Sequence, residues 1–279
     1  PYGGVFLRGR SQVAASDVGA VTTAWVGAAL DAGRPAPWVS ADQEGGAVQT
    51  FSGEGFADLP TARQQGRGTL GEVRATARGT GESLRTAGVT LDLSPVADVV
   101  PEGTARDNAP VGRYGREYGT TAGAVAEDAG AVVAGLGEAG VTATVKHFPG
   151  LGRVTRNTDT SADVRDTATT ADDADVALFG QLAALPERPF VMVSSATYEQ
   201  IDPSSLAAFS PVVVDQLLRQ RLGFDGVVIS DDVGAAEAVA DVPVGERATR
   251  FVAAGGTLVL TIDAELAPAM VDALLERAA

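Results

Sequence analysis

The sequence predicts a parallel α/β fold of the TIM (β/α)8-barrel type, and three observations carry that prediction. Seven short apolar runs recur along the 279 residues. Amphipathic stretches separate them, and successive runs are roughly 30 to 50 residues apart, the length of a strand plus a returning helix. Within the runs Val, Ile and Leu are nearly continuous. That marks strands covered on both faces, as in a parallel sheet, and not the strict alternation of a sheet wet on one side.

In chain order the runs are GGVFLR (3–8), WVSAD (38–42), VTLDLSPVADVV (89–100), VTATVK (141–146), FVMVSS (190–195), GVVISDD (226–232) and TLVLTID (257–263). Helices are expected between them. The stretch 11–33 ends on Gly33, 120–140 ends on Gly140, and 210–223 opens with Ser210-Pro211 and stops at Gly223. Glycine just past a helix takes the left-handed conformation that ends it, and proline in the first turn gives up an N–H with no partner there. Loops are expected after WVSAD, VADVV and VTATVK, long and rich in Gly, Pro, Arg and Asp. A closed barrel of this type has eight strands, so the first is expected before Pro1. With no linker-like segment, one (β/α) barrel domain spanning 1–279 is expected.

Composition narrows the function. With 36 acidic residues against 21 basic ones the net charge is −15, which repels phosphate backbones and anionic headgroups. Neither nucleic acid nor membrane insertion is expected, because no apolar run approaches the roughly 18 residues that span a bilayer. Without cysteine there is no thiol nucleophile or thiolate metal site. The glycine-rich stretches lack nucleotide-cradling spacing, so no cofactor or metal is expected.

In such a barrel chemistry sits at the carboxyl ends of the strands. There the sequence places Asp42 in DQEGG, Asp98, Lys146 with His147, Ser194 with Ser195, and Asp231 with Asp232. Lys146 and His147 are the only lysine and histidine in the chain. A lone strand-end aspartate often only caps a helix or pairs with a base. Together these residues form an anionic mouth with one cationic pair. Strand alternation puts Asp231 and Asp232 on opposite sides, one toward the mouth and one toward the following helix.

DQEGG, KHFPG and GFDGVVISDD, in this order, resemble glycoside hydrolase family 3, in particular its β-N-acetylhexosaminidase branch. The resemblance runs from GGVFLRG, similar to the family's second barrel strand, to AGGTLVLTID. It implies a retaining exo-glycosidase that hydrolyses terminal β-linked N-acetylglucosamine, with Asp231 as the nucleophile that forms a glycosyl-aspartate. Asp42, Lys146 and His147 match the residues that bind sugar hydroxyls. The family's arginine falls on Arg116 in REYG, with Arg113 in RYG as a rival. The resemblance also implies a carbohydrate substrate from peptidoglycan-type fragments and export to the cell envelope.

Two departures stand out. The family's Asp-Ser/Thr-His triplet falls, without gaps, on Asn157, Thr158 and Asp159; a two-residue shift puts it on Asp159, Thr160 and Ser161 and leaves no acid. His147 is already assigned, so Asp159 is the expected general acid/base, which requires burial or the Asp231 charge to raise its pKa. Thr50 stands where an arginine often follows DQEGG, so one substrate contact is expected to be either lost or replaced by Arg153 or Arg156. A carboxylate acid/base in a chain this acidic repels phosphate and favours water as acceptor. The alternatives are a sugar-binding relative that has lost catalysis, and a β-glycosidase or phosphorylase acting on a different sugar.

Overall fold

Every one of the seven apolar runs forms a strand of one parallel sheet in the structure, a computed structural model that describes residues 2–279. The strands are β1 (Gly4–Leu7), β2 (Trp38–Ala41), β3 (Leu91–Asp92), β4 (Thr142–Phe148), β5 (Phe190–Val193), β6 (Val228–Asp232) and β7 (Leu258–Leu260). Their order in the sheet is their order in the chain. Representative register pairs are Leu7 with Ala41, Leu91 with Thr142, and Val228 with Val191. The sheet curls into a nearly closed barrel whose edges are β1 and β7, and Arg8 Nη1 crosses that seam to donate to the Ile262 carbonyl at 3.1 Å.

The pleat sorts side chains into two cores. Leu91, Leu93, Phe190, Met192 and Ile229, joined by Phe6, Leu258 and Leu260, fill the barrel interior. Val39, Ala41, Ala143, Val145, Val191, Val193 and Val228 face outward into the larger core beneath the helices. Both faces are therefore apolar, which is why the strands read as unbroken Val, Ile and Leu.

The outer layer contains α1 (Ala15–Asp31), α2 (Leu70–Thr86), α3 (Ala122–Glu138), α4 (Ala174–Ala183), α5 (Val212–Arg221), α6 (Val244–Ala253) and α7 (Ala267–Ala278). Gly33, Gly140 and Gly223 take positive φ after α1, α3 and α5, as expected. The Ser210 hydroxyl accepts from the Val213 N–H, so the Ser-Pro start is also observed, although α5 is wound wider as a π-helix. Among the described residues no helix is long and apolar enough to cross a membrane.

Two stretches differ from expectation. Of VTLDLSPVADVV only Leu91 and Asp92 pair as strand; Pro95 has no N–H to donate, and the chain runs on to a single bridge between Val96 and Lys146. The supposed loop after WVSAD contains a hairpin and then α2, whose start is fixed by reciprocal hydrogen bonds between Thr69 and Glu72. The buried stripe of α2 is Val73, Ala77, Gly81 and Leu84, too small to stand out as an apolar pattern. It packs closely on α3, where a Cβ on Gly135 would lie 2.4 Å from the Arg74 carbonyl oxygen.

Candidate active site

At the carboxyl end of the barrel a cavity of about 280 Å³ opens to solvent. Its floor is apolar, from Leu93, Met192 and Leu260 of the interior core, and its walls are polar. Asp42, Arg116, Lys146, His147, Asp159 and Asp231 all line it, brought together from five separate segments of the chain. Arg113 is exposed and is not part of the lining, so the structure favours Arg116 between the two arginines.

The β2–β4 wall is an ion-pair network. Lys146 Nζ lies 2.7 Å from Asp42 Oδ1 and 2.6 Å from Glu44 Oε1. Arg116 clamps Glu44 with both arms of its fork, Nε to Oε2 at 2.8 Å and Nη2 to Oε1 at 2.7 Å, and its Nη1 donates to the Pro110 carbonyl. Burial works against the Glu44 charge, but Arg116 and Lys146 outweigh it and hold the carboxyl near 2. Burial likewise opposes the Lys146 charge, and Asp42 and Glu44 overcome it and raise its pKa. An ammonium carries three N–H bonds; two are engaged, which leaves one for a ligand.

His147 is joined to Lys146 by a cis peptide bond, and both side chains reach the cavity. Its Nδ1 donates to Asp98 Oδ2 at 2.7 Å, while Asp98 Oδ1 accepts the backbone N–H groups of His147 and Leu151. A fully buried carboxylate thus fixes the ring and leaves Nε2 for the cavity. The loop beyond is seated by close contact: a Cβ on Gly152 would lie 1.7 Å from the Val99 carbonyl oxygen. Asn108 completes the seat, donating to the Leu151 and Val154 carbonyls and accepting from the Val111 and Gly112 N–H groups.

The opposite wall carries two carboxylates without ion-pair partners among the described residues. Asp231, at the end of β6, lines the cavity, and its Oδ1 accepts the Asp232 N–H at 2.8 Å. Asp232 accepts the N–H groups of Gly234, Ala235 and Ile262, so it braces the following loop, as alternation predicts. That loop is also knotted by buried Arg247, which donates to the Val233, Gly234, Ala240 and Val242 carbonyls. Its Glu237 and Ala238 N–H groups in turn donate to the Asp159 and Thr158 carbonyls, at 3.1 and 3.0 Å. The segment with Asn157, Thr158 and Asp159 is therefore strapped to the strand that carries Asp231. The Asp159 side chain is exposed at the cavity mouth, yet local desolvation, and then the Asp231 charge, raise its pKa.

A model of the glycosyl hydrolase family 3 N-terminal domain matches residues 2–278. The chain belongs to glycoside hydrolase family 3. It is 33% identical over 260 residues to a β-hexosaminidase of Xanthomonas campestris pv. campestris, covering 90% of this chain and 75% of that one. The solved β-N-acetylhexosaminidase of Beutenbergia cavernae DSM 12333 superposes with a TM-score of 0.93 at 45% identity, covering 99% of this chain and 82% of that one. A family 3 β-N-acetylglucosaminidase from Paenibacillus sp. FPU-7 gives 0.87 at 28% identity over 98% of this chain and 52% of that one.

As a glycoside hydrolase of family 3 the chain shows two differences from what its motifs suggest. Arg153 does not stand in for the arginine absent at Thr50, because Asp173 and Asp175 hold it at 2.5 and 2.7 Å and Thr169 adds a contact. Arg156 is exposed and outside the cavity lining. Thr50 instead lines a neighbouring cleft together with Arg8 and Arg10. Ser194 and Ser195 also fall outside the lining; the Ser194 hydroxyl meets Tyr198 Oη at 3.0 Å. Sequence reasoning missed Glu44. The available signal was its place two residues after Asp42, on the same side of an extended segment.

Proposed function

We propose that this chain is a retaining exo-β-N-acetylhexosaminidase that releases terminal β-linked N-acetylglucosamine, with Asp231 as nucleophile and Asp159 as general acid/base. The supporting observation is that a carboxylate at the end of β6 with no ion-pair partner among the described residues shares the cavity with a second carboxyl whose pKa desolvation, and then that charge, raise. Similarity to proteins named β-hexosaminidase and β-N-acetylhexosaminidase supports the sugar. An Asp231 oxygen attacks the anomeric carbon as the glycosidic C–O bond breaks, and Asp159 gives its proton to the departing oxygen. The Asp159 carboxylate then takes a proton from water, whose oxygen attacks the same carbon and frees Asp231.

The paired groups hold the sugar. The free Lys146 N–H offers a donor, and His147 Nε2 and the outer Asp42 oxygen offer further hydrogen-bonding positions to adjacent hydroxyls, while the apolar floor supports the ring. A carboxylate acid/base favours water over phosphate as acceptor, and cell-wall glycan fragments are the proposed source of substrate. One observation favours a second reading: Asp159 is exposed where relatives of this motif carry histidine, which would suit a sugar-binding protein without turnover.

Trapping with a 2-fluoro glycosyl donor or a 5-fluoro N-acetylglucosaminyl donor separates the readings. The expected result is one adduct on the GVVISDD peptide at Asp231. Turnover without that adduct would remove the covalent mechanism, and sugar binding with neither turnover nor adduct would establish the binding protein.

A further inference from the structure

The segment 233–242 leads from β6 toward α6, and one side chain near the N-terminus of α6 holds both of its ends. Arg247 Nη1 donates to the Gly234 and Val233 carbonyls at 2.6 and 3.2 Å, at the near end. Its Nε donates to the Val242 carbonyl at 2.7 Å and its Nη2 to that of Ala240 at 3.3 Å, at the far end. The side chain is buried, and the neighbouring Glu246 pairs with Arg250, so among the described residues no carboxylate is in an ion pair with Arg247.

A cation near a helix N-terminus meets the positive end of the dipole, and burying a guanidinium without an anion opposes folding. Five donors in a rigid fork, spread over four carbonyls, offset that penalty, and what they yield is a fixed loop. The near end is seated by contact as well, since a Cβ on Gly234 would lie 2.0 Å from Thr261 Oγ1. In the middle of the loop Ala235 and Ala236 line the main cavity. The next two residues donate backbone N–H groups outward, Glu237 to the Asp159 carbonyl at 3.1 Å and Ala238 to the Thr158 carbonyl at 3.0 Å. Contacts within the Asp159 segment are local: Asn157 Oδ1 accepts the Asp159 N–H at 3.0 Å, and the Asn157 carbonyl accepts the Thr160 N–H at 3.2 Å. Those bonds shape the turn but do not place it against Asp231.

We propose that Arg247 is a positioning residue for Asp159: acting through residues 233–242, it sets where that carboxyl stands relative to Asp231 and to the departing oxygen. This role rests on the glycosidase reading, with Asp159 as acid/base.

Two variants break the path at different points. Arg247→Lys keeps the charge, but a single ammonium does not span both ends of the loop. Glu237→Pro leaves Arg247 in place and deletes the N–H that Asp159 accepts. The Glu237 side chain is exposed, and Ala236 before it is extended, with φ −64° and ψ 132°, so the position opens a short helical turn and accepts proline. On a disaccharide, a poor leaving group, kcat/KM should fall about 10²-fold in Arg247→Lys and about tenfold in Glu237→Pro, the scale of a misplaced catalytic group. On the nitrophenyl glycoside each loss should be no more than about threefold. The double variant should lose less than the product of the single losses, because both act through one path.

The charged groups facing the Asp159 carboxyl are Asp231 from β6 and Arg116 and His147 across the cavity, and desolvation with Asp231 outweighs the two cationic groups. A loosened segment gives up that environment, so the pH at which kcat/KM falls should move lower in both variants. Exchange of the Glu237 and Ala238 amide protons should be at least about tenfold faster in Arg247→Lys. Equal losses on the two substrates, wild-type kinetics in Glu237→Pro, or unchanged amide exchange in Arg247→Lys would overturn the role. A wild type that cleaves neither substrate overturns it through the glycosidase reading, and the exchange data, which need no turnover, keep that failure apart from a failure of the Arg247 tie.

Discussion

On the β2–β4 side of the cavity the polar groups are paired at 2.6 to 2.8 Å: Lys146 with Asp42 and Glu44 and Arg116 with Glu44 as ion pairs, and the His147 ring with Asp98. On the β6 side Asp231 and Asp159 face the same space, and among the described residues neither is in an ion pair. The first arrangement gives up charge for rigidity, since groups that only hold hydroxyls work best when fixed and mutually neutralised. The second keeps charge available. A nucleophile saturated by a cation attacks poorly, and an acid beside a cation ionises too early to donate.

The comparison makes its largest prediction at Asp231. Asp231→Asn keeps the side-chain volume and removes the unpaired charge, so turnover should fall by at least about 10⁴-fold, as when a covalent nucleophile is lost. Affinity for N-acetylglucosamine, measured by calorimetry, should stay within about threefold if binding belongs to the paired side. A large loss of affinity would show that the two walls do not divide the work in this way.

Asp159→Asn should cost about 10²–10⁴-fold on substrates with poor leaving groups and far less on nitrophenyl glycosides, which need little protonation. The pH profile carries the sign. The acid acts while protonated, and its pKa lies above the usual carboxylate value, so wild-type kcat/KM should fall as pH rises through that raised value. In Asp159→Asn this limb should vanish. Equal losses on both substrate types would remove Asp159 from the chemistry.

Glu44→Gln tests the paired side. It leaves Lys146 and Arg116 with Asp42 as the acid within reach, so KM should rise roughly 10- to 100-fold while kcat changes less, the pattern of lost ground-state binding. Stability should fall as well. The Glu44 carboxyl is held near 2, below its ordinary value of 4.5, so its stabilising contribution is complete above about 4.5 and is lost as pH drops toward 2. The difference in Tm between wild type and variant should therefore shrink in acid. A fall in kcat at constant KM would move Glu44 to the reacting side.

Much of this was legible in the sequence. The strands were, because both of their faces are buried and the pattern needs no long-range information. Asp42, Lys146, His147 and Asp231 were, because each ends a strand and strand ends converge in a barrel. Helix α2 was not, since its packing stripe of Ala and Gly carries little hydrophobic signal and depends on how near α3 can approach. Glu44 and Asp98 were not assigned their roles either. What defines them is a partner 72 or 49 residues away; the spacing from Asp42 places Glu44 on the right side of its segment but does not name that partner.

Asp92 extends the comparison below the paired side and gives its smallest effect. It is fully buried at the end of β3; its Oδ1 accepts the Gln43 N–H at 3.0 Å, and its Oδ2 has no partner among the described residues. Burial pushes its carboxyl up to about 8, with Asp42 and Glu44 adding to the effect and the Gln43 hydrogen bond and Lys146 opposing it. The paired side therefore carries a neutral acid, because its cations are already committed to Asp42 and Glu44. The unfolded chain loses this proton near 3.8 while the folded chain keeps it to about 8. Stability is thus fully retained below about 3.8 and declines as pH rises toward 8. Asp92→Asn imitates the protonated form and keeps the acceptor for Gln43. Its Tm should match the wild type near pH 4 and exceed it by several degrees at pH 8, given about 2–4 °C per kcal/mol in a domain of roughly this size. A lower Tm at both pH values would mean that Asp92 is ionised and shares Lys146, and the division between a neutralised wall and a charged one would then fail at its base.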